Sequence, residues 1–251
     1  MKYELDNIYN EDSYKAIKDI PDNSIDLIII DPPYVYDGNM DKKTGYGVFK
    51  DREKTIYDEI FEKNLDNKDY IEILNDLVRV NKNINIYIWC SKNQIKTILD
   101  FYVTKHGCHY DILLWQKTNA PPFYNNSYLT DKEYCLYFRN KGYCNPSSYE
   151  NAKTIFTTSL NANDKKLYKH PTIKPLQIIK TLIKNSSKED DIVADFFLGS
   201  GTTCVAAKEL GRRYIGFEID EEYYKIAKDR LNGVTANGQT SMFTDFSKLD
   251  I

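Results

Sequence analysis

The chain has 251 residues, of which 41 % are hydrophobic, and its formal net charge at pH 7 is −3. This length suits one large α/β domain or two small ones, and the hydrophobic content is typical of a globular protein rather than a disordered one. A chain that is acidic overall binds nucleic acid only through a local cluster of positive charge. The five cysteines are far apart and include no Cys-x-x-Cys pair, so we expect buried free thiols rather than disulfides or a zinc site.

The first residues, the lengths of the apolar stretches and the spacing of the acidic residues count against further classes of protein. Residues 1–6 lack the apolar core of a signal peptide, and no apolar stretch approaches the length of a membrane span. We therefore expect a cytoplasmic protein that does not bind membranes. No cluster of acidic residues has the spacing of a metal site, so we expect no bound metal.

The most informative segment starts with the apolar run 25–30, which predicts a buried strand of a parallel sheet. Asp31-Pro32-Pro33-Tyr34 follows, and the two prolines stop the strand and stiffen the chain. A carboxylate, a prolyl carbonyl and an aromatic ring are thereby held at the carboxyl edge of a sheet, where open α/β folds bind ligands. This edge suits the amino group of a flat base, although a simple strand-ending turn fits the same residues.

The next segments alternate between helical and strand-like patterns, which predicts a doubly wound α/β sheet. Strands are predicted at 84–90, 110–115 and 134–138, after a helix at 70–80. The strand at 134–138 follows its neighbour after a loop too short for a helical crossover, so we expect it to be antiparallel. Two polar segments, 35–54 and 140–169, do not fit the sheet, and insertions of this length are functional loops or disordered.

A second motif lies between two further predicted strands, at 192–195 and 214–218. Gly199 and Gly201 allow a tight turn and a close approach to a ligand just before a helix predicted at 202–210. Glu218 ends the next strand, where an acidic residue usually binds ribose hydroxyls. Such a unit could also serve a nicotinamide cofactor in an oxidoreductase, but Cys204 replaces the third glycine of that pattern, which favours a nucleoside ligand without a pyrophosphate.

Positive charge is concentrated between Asp164 and Lys184, where six lysines accompany one acid. This run is either a solvated surface or a contact for phosphates. We expect Lys165, Lys166 and Lys169 to meet the phosphates of a nucleic acid, while Lys174 has the alternative of being one more surface lysine.

The two motifs together resemble those of the DNA amino-methyltransferases that use S-adenosylmethionine. Asp31-Pro32-Pro33-Tyr34 resembles their catalytic motif, and Phe197-Leu198-Gly199-Ser200-Gly201-Thr202-Thr203 resembles their cofactor motif. The catalytic motif comes first in the chain, which is the permuted order of the β-class. Further matches to the family span about residues 8–232, in the family's order, and lie at 10–12, 20–26, 115–119 and 170–175.

This resemblance implies one methyltransferase domain over 1–251, with a Rossmann-like α/β fold, a seven-stranded mixed sheet and helices on both faces. It implies a short target-recognition insertion at 140–169 and a mobile loop at 35–54. Asp at the first motif position is typical of enzymes that act on adenine N6, whereas cytosine-N4 enzymes usually have Ser there. A cytosine-N4 enzyme and an RNA adenine-N6 enzyme stay open as alternatives. The resemblance implies double-stranded DNA as the substrate and a bacterium or a phage as the source. A homodimer and a cognate restriction endonuclease are candidate partners.

The resemblance also assigns roles to individual residues. The catalytic residues that it implies are Asp31, Pro32, Pro33 and Tyr34. The residues that it implies for S-adenosylmethionine are Asp12, Asp31, Thr172, Lys174, Asp195, Phe197, Gly199, Ser200, Gly201, Thr202 and Glu218. We expect Asp31 and the Pro32 carbonyl to accept the two hydrogens of the adenine amine, and Tyr34 to stack on a base flipped out of the duplex.

Overall fold

The computed structural model describes residues 2–33, 67–122, 128–160, 167–168 and 173–234. Within these ranges the strands are β1 (Asn7–Tyr9), β2 (Leu27–Ile30), β3 (Asn85–Cys90), β4 (His109–Lys117), β5 (Lys132–Arg139), β6 (Ile155–Thr158), β7 (Ile192–Asp195) and β8 (Arg213–Phe217). The α-helices are α1 (Ser13–Ala16), α2 (Asn67–Val80), α3 (Ile95–Leu99), α4 (Leu176–Ser186), α5 (Thr202–Glu209) and α6 (Glu221–Leu231). A 3₁₀ turn (Ile17–Asp19) follows α1, and a π-helical segment (Asp100–Lys105) continues α3.

The eight strands form one mixed sheet in the order β1-β8-β7-β2-β3-β5-β4-β6. The first five strands of this order are parallel to one another. Strand β5 runs antiparallel to both β3 and β4, as the short connection before it predicts, and β6 pairs parallel with β4. Because β4 therefore runs in the same direction as β3, the end of β4 and the start of β5 lie at the carboxyl edge of the parallel strands.

Helices cover both faces of the sheet, as expected. On one face α2, α3 and the π-helical segment pack against Ile28 and Ile30 of β2. On the other face α4, α5 and α6 pack against Leu27 and Ile29. The side chains of β2 are all buried because both faces are covered, which explains why its sequence is apolar without interruption.

The direction of winding reverses between β7 and β2. The chain passes from β2 to β3 on one side of this point and from β7 to β8 on the other. The crossover helices α2 and α5 lie on opposite faces of the sheet. Such a reversal opens a crevice outside the carboxyl ends of the two strands, and this is where doubly wound folds bind their ligands.

Two features of the sheet differ from the sequence-based expectation. The described residues form eight strands rather than seven, and the polar segment 140–169 contributes one of them, β6. The four residues of β6 are half exposed at the edge of the sheet, so their sequence lacks the apolar pattern that marks a buried strand. The segment 35–54 lies outside the described residues.

Local signals fix the start of one helix and the end of another. The side chain of Asp220 caps α6 by accepting hydrogen bonds from the backbone of Glu222 and Tyr223. Gly211 ends the turn after α5 with φ of 69°, a value that favours glycine. All five cysteines are free thiols; four are buried, as predicted, whereas Cys144 is partly exposed. In the described part of the chain, no helix is long and apolar enough to cross a membrane.

Candidate active site

The predicted catalytic residues follow β2 at the reversal point of the sheet. Asp31 is partly exposed, Pro32 is buried and Pro33 is partly exposed. Strand β7, which leads into the glycine motif, lies directly beside β2, with Ile28 paired to Ala194. The two motifs are 164 residues apart in sequence, from Asp31 to Asp195, but leave adjacent parallel strands at the same edge.

Asp31 is held by a lysine from the basic segment. The Lys174 ammonium group donates to Oδ2 of Asp31 and lies 3.1 Å from Oε2 of Glu133. It also lies 5.0 Å from the centre of the Trp89 ring. The side chain of Lys174 is only 10 % exposed, so the alternative interpretation of a surface lysine is wrong.

Glu133 joins this ion pair to a second lysine. It is the second residue of β5 and pairs in register with Trp115 of β4. Its Oε1 lies 2.7 Å from the ammonium group of Lys117, the last residue of β4. Burial alone would raise the pKa of Glu133, but the charges of Lys174 and Lys117 lower it to about 2. The carboxylate of Glu133 is therefore charged at neutral pH.

The glycine loop, defined as Phe196–Gly201, connects β7 to α5. Gly199 and Gly201 both have positive φ, at 52° and 81°. A Cβ atom on Gly201 would lie 2.9 Å from the Cβ of Ala227 on α6, so this position needs glycine for space as well as for conformation. Helix α5 starts directly after the loop, and the first N–H groups of a helix have no partner within that helix.

Glu218 closes the glycine loop from the end of β8. Its Oε2 accepts a hydrogen bond of 2.7 Å from the backbone of Gly199, and its Oε1 accepts one of 2.9 Å from Asp220. Burial raises the pKa of Glu218 to about 7, although these hydrogen bonds act in the opposite direction. A carboxylate has about four lone-pair sites, so Glu218 can still accept from ribose hydroxyls.

Asp195 supports the same loop from the end of β7. Its carboxylate accepts hydrogen bonds from the backbone of Phe197, at 3.0 Å, and from the Thr203 hydroxyl. The side chain is buried, and this burial raises its pKa to about 7. Phe197 is partly exposed on the loop. The described contacts of Asp195 are thus within the loop and the start of α5.

Asp12 lies in a segment that is tied to the ends of β7 and β8. The side chain of Asn10 donates to the carbonyl of Glu218 at 2.8 Å, and the Ser13 hydroxyl donates to the carbonyl of Phe196. Asp12 itself caps α1 by accepting from the backbone of Tyr14. The structure therefore brings Asp12 to the same edge as the glycine loop.

Ser200 and Thr202 are held by an arginine that the sequence does not point to. Nη1 of Arg230 donates to the carbonyl and the hydroxyl of Ser200, at 2.7 and 2.8 Å, and to the hydroxyl of Thr202 at 3.0 Å. Arg230 is buried on α6, and its guanidinium carbon lies 4.5 Å from the centre of the Tyr168 ring. The side chains of Ser200 and Thr202 are thus engaged in positioning the glycine loop.

Several predicted residues lie outside the described part of the chain. They are Tyr34, Lys165, Lys166, Lys169 and Thr172, and their roles stay predictions. In the ranges that the structure does describe, no group of three or more His, Cys, Asp or Glu residues is placed to hold a metal ion.

The sequence interpretation missed Asn10, Ser13, Glu133 and Arg230. Asn10 and Ser13 flank the predicted Asp12, so the neighbours of a motif residue were the available signal. Glu133 is a charged residue at the start of a strand, and Arg230 lies on an amphipathic helix. Neither pattern differs from that of an ordinary surface residue, because the partners of both are far away in sequence.

A protein-family model described as DNA methylase matches residues 25–229 of this chain. The chain belongs to this family. Its members include both N6-adenine and N4-cytosine enzymes, and the matched range contains both the Asp31 edge and the glycine loop.

Curated relatives share most of the length of the chain. The type II methyltransferase M2.LlaDCHI of Lactococcus lactis subsp. cremoris is 34 % identical and is aligned over 92 % of this chain and 91 % of its own. The type II methyltransferase M2.DpnII of Streptococcus pneumoniae is 31 % identical and is aligned over 89 % of this chain and 88 % of its own length. The chain is therefore a DNA methyltransferase of the type II restriction–modification kind.

Solved structures agree with this assignment. The crystal structure of M1.HpyAVI in complex with its cofactor S-adenosylmethionine has a TM-score of 0.60 and 28 % identity, and it covers 89 % of this chain and 98 % of its own. The cytosine-N4-specific PvuII DNA methyltransferase has a TM-score of 0.65 at 18 % identity, and the match covers 89 % of this chain and 85 % of the PvuII chain. At this identity the match shows that the two proteins share a fold.

S-adenosylmethionine is the cofactor of this chain, and the residues present fit it. Two glycines with positive φ form a loop at the start of a helix, and a buried carboxylate ends the next strand. Backbone N–H groups and a carboxylate match the ribose hydroxyls and the carboxylate of this cofactor.

Proposed function

We propose that the protein methylates N6 of adenine in double-stranded DNA, as the modification enzyme of a type II restriction–modification system. The observation that carries this proposal is the placement of Asp31 and Pro32 at the end of β2, directly beside the strand that leads into the glycine loop. This placement sets a pair of hydrogen-bond acceptors next to the expected position of the methyl donor.

The choice of adenine rests on the residue type at position 31. Aspartate at this position resembles the adenine-N6 members of the family, whereas serine is usual in cytosine-N4 members. The family model covers both kinds of enzyme, and the cytosine-N4-specific PvuII enzyme shares the fold of this chain. Neither comparison distinguishes adenine from cytosine as the target base. The proposal for adenine is therefore open to a direct chemical test.

In the proposed mechanism, Asp31 and the Pro32 carbonyl each accept one hydrogen of the adenine amine. The lone pair of this amine is delocalised into the ring, and two such acceptors favour a pyramidal nitrogen with a localised lone pair. S-adenosylmethionine supplies an electrophilic methyl group on its sulfonium. Asp31 stabilises the positive charge that develops on the nitrogen, which loses its proton after the transfer.

The target amine is inaccessible inside a stacked duplex, so we expect the base to be flipped out and to stack on Tyr34. Pro33 would keep Tyr34 at a fixed distance from Asp31, because proline restricts the backbone. For the cofactor, we propose that Glu218 accepts from the ribose hydroxyls and that Phe197, Gly199 and Gly201 line the methionine side.

The remaining cofactor assignments follow from the resemblance. We propose that Asp12 approaches the adenine end, and that Thr172 and Lys174 lie near the methionine carboxylate. Asp195 would act on the loop rather than on the ligand, as its hydrogen bonds to Phe197 and Thr203 support. Arg230 would act in the same way through Ser200 and Thr202.

For DNA, we propose that residues 140–169 include the target-recognition segment and that 35–54 is a loop that closes over the flipped base. Lys165, Lys166 and Lys169 would meet phosphates and supply affinity that is independent of sequence. A homodimer and a cognate restriction endonuclease are the proposed protein partners. Because the curated relatives are bacterial and the substrate is DNA, we place the protein in the bacterial cytoplasm.

The experiment that tests the proposal is methylation of varied DNA duplexes and RNAs by the purified protein with isotopically labelled S-adenosylmethionine. Digestion to nucleosides and mass spectrometry then identify the product. We expect labelled N6-methyladenine from duplex DNA. Labelled N4-methylcytosine, or label in RNA alone, would overturn the proposed substrate while leaving the family membership unchanged.

A further inference from the structure

We propose that Glu133 is a positioning residue for methyl transfer, which holds the Lys174 ammonium group in place beside Asp31. This inference rests on the proposed function of Asp31 as the acceptor of the target amine. It concerns a residue that lies on β5, outside both sequence motifs, and reaches the site only through the fold.

The first step of the argument is the need for a second anchor on Lys174. A lysine side chain has four rotatable bonds and loses much rotamer freedom when its end is fixed. The hydrogen bond to Asp31 fixes one direction of the ammonium group. Glu133, at 3.1 Å, and the face of the Trp89 ring, at 5.0 Å, fix two more. Three contacts from different strands define the position of this charge.

The second step is that Glu133 is itself held on its far side. Lys117 lies 2.7 Å from Oε1 of Glu133, and its ammonium group lies 5.2 Å from the centre of the Trp115 ring. Asp31, Lys174, Glu133 and Lys117 thus form a row of alternating charges from β2 to β4 whose formal sum is zero. The four side chains are between 10 % and 29 % exposed. A largely buried charge that loses its partner is unfavourable, so each member of the row helps to fix the next one.

The third step links this row to chemistry. Asp31 must present its carboxylate in one orientation if it is to accept a hydrogen of the amine while Pro32 accepts the other. The hydrogen bond from Lys174 to Oδ2 sets the rotation of the Asp31 carboxylate. When reacting groups are displaced by about 1 Å, rates fall by about a hundredfold. A small movement of Lys174 would turn the Asp31 carboxylate and thereby lower the rate of methyl transfer to the amine.

The test is Glu133→Gln, which keeps the size of the side chain and removes its charge. We expect the single-turnover rate of methyl transfer, measured at saturating S-adenosylmethionine so that any change of cofactor affinity through Lys174 does not enter the rate, to fall by about tenfold or more. The matched control is Glu209→Gln, because the Glu209 side chain is 21 % exposed against 23 % for Glu133, and its ion pair with Lys180 joins α5 to α4 away from the site. We expect this control to keep the rate of the unsubstituted protein.

A double-mutant cycle separates positioning from a general structural effect. If Glu133 acts through Lys174, Glu133→Gln will cause no further loss of rate in a Lys174→Met protein. Glu133→Asp, which keeps the charge but withdraws it by one methylene, should retain an intermediate rate and covers the case in which the glutamine variant does not fold.

Two results would overturn the inference. One is a Glu133→Gln rate within about twofold of the unsubstituted protein, and the other is an undiminished effect of that change in the Lys174→Met background. Failure of the proposed function would look different, because the unsubstituted protein would then place no methyl group on DNA adenine.

Discussion

The backbone N–H of Gly199 donates a hydrogen bond of 2.7 Å to Oε2 of Glu218, so the glycine loop is fastened directly to the end of β8. The residue expected to hold the ribose thus also shapes the loop expected to hold the methionine end. Replacement of Glu218 by alanine should weaken binding of S-adenosylmethionine by about tenfold or more, because both functions are lost. Isothermal titration calorimetry measures this, and an unchanged dissociation constant would refute the ribose role.

The same carboxylate makes cofactor binding depend on pH. Burial raises the pKa of Glu218 to about 7, and hydrogen bonds from ribose hydroxyls favour its charged form. Affinity for S-adenosylmethionine should therefore increase as the pH rises through about 7, with release of up to one proton on binding. Calorimetry in buffers of different ionisation enthalpy measures that proton. Asp195 has a similarly raised pKa, so a pH dependence that survives in Glu218→Gln would assign the titration to Asp195 instead.

The raised pKa of Glu218 has the opposite consequence for the stability of the protein without cofactor. Between its ordinary value of 4.5 and about 7, the folded state keeps a proton that the unfolded state has released. The free energy of unfolding should therefore fall as the pH rises across this window. Chemical denaturation at several pH values measures the slope, which Glu218→Gln should reduce.

Replacement of Asp31 by alanine should abolish methyl transfer while leaving cofactor binding largely intact. The reason is that Asp31 is the charged acceptor for the target amine, and removal of one such group costs about a hundred- to a thousandfold in rate. Single-turnover transfer of labelled methyl groups measures the rate, with calorimetry as the control for binding. Substantial residual turnover would end the assignment of Asp31.

Replacement of Arg230 by methionine should loosen the glycine loop. Three hydrogen bonds from Nη1 to Ser200 and Thr202 are lost, and buried acceptors are left without this partner. We expect a loss of about 2–3 kcal/mol in stability and a weaker affinity for S-adenosylmethionine. Arg212→Met is a matched control, because Arg212 binds the backbone of Leu210 and Ser187 away from the loop. Equal effects of both changes on affinity would contradict the role of Arg230.

Replacement of Gly201 by alanine separates backbone strain from lack of space. At φ of 81° an L-residue costs about 1–2 kcal/mol, and the new Cβ would also meet Ala227 at 2.9 Å. Gly107 has φ of 62° with open space around its Cβ position, so Gly107→Ala measures the strain alone. Thermal unfolding should show the larger loss for Gly201→Ala. Equal losses would mean that α6 moves freely away from the loop.

Simultaneous replacement of Lys165, Lys166 and Lys169 by alanine should weaken binding to all DNA sequences alike. Each lysine that neutralises a phosphate contributes about 0.9 to the slope of log affinity against log salt concentration. Fluorescence anisotropy at several salt concentrations measures this slope. The same change at the exposed Lys15, Lys96 and Lys225 serves as the control, and an unchanged slope in the first triple variant would count against phosphate contact.

Much of the fold could be predicted because the parallel strands are buried on both faces. Strand β2 is apolar throughout, and the prolines after it mark its end, so Asp31 could be placed at the edge of the sheet from sequence alone. The glycines and Glu218 could be placed in the same way. Strands β1 and β6 lie at the two edges of the sheet and are only three and four residues long, which leaves too few buried positions for a pattern.

The electrostatic arrangement could not be predicted, because it depends on which strands become neighbours. Glu133 and Lys174 meet only after β5 has paired with β3 and the chain has returned toward β2. Lys174 belongs to a run of lysines in the sequence, and such a run also fits a solvated surface. In the fold its ammonium group is enclosed by two carboxylates and an aromatic ring, which a count of charges along the chain cannot reveal.

The pairing of β2 with β7 has a consequence for how the protein is made. Strand β2 ends at Ile30 and its neighbour β7 begins at Ile192, so the ribosome must add most of the chain between them before they can pair. At about 5–20 residues per second, this takes roughly 8 to 30 s. During synthesis, one edge of the apolar strand β2 has no partner strand. Its unpaired backbone groups can then pair with other chains. Slower translation should lengthen this exposure and therefore increase aggregation of the nascent chain.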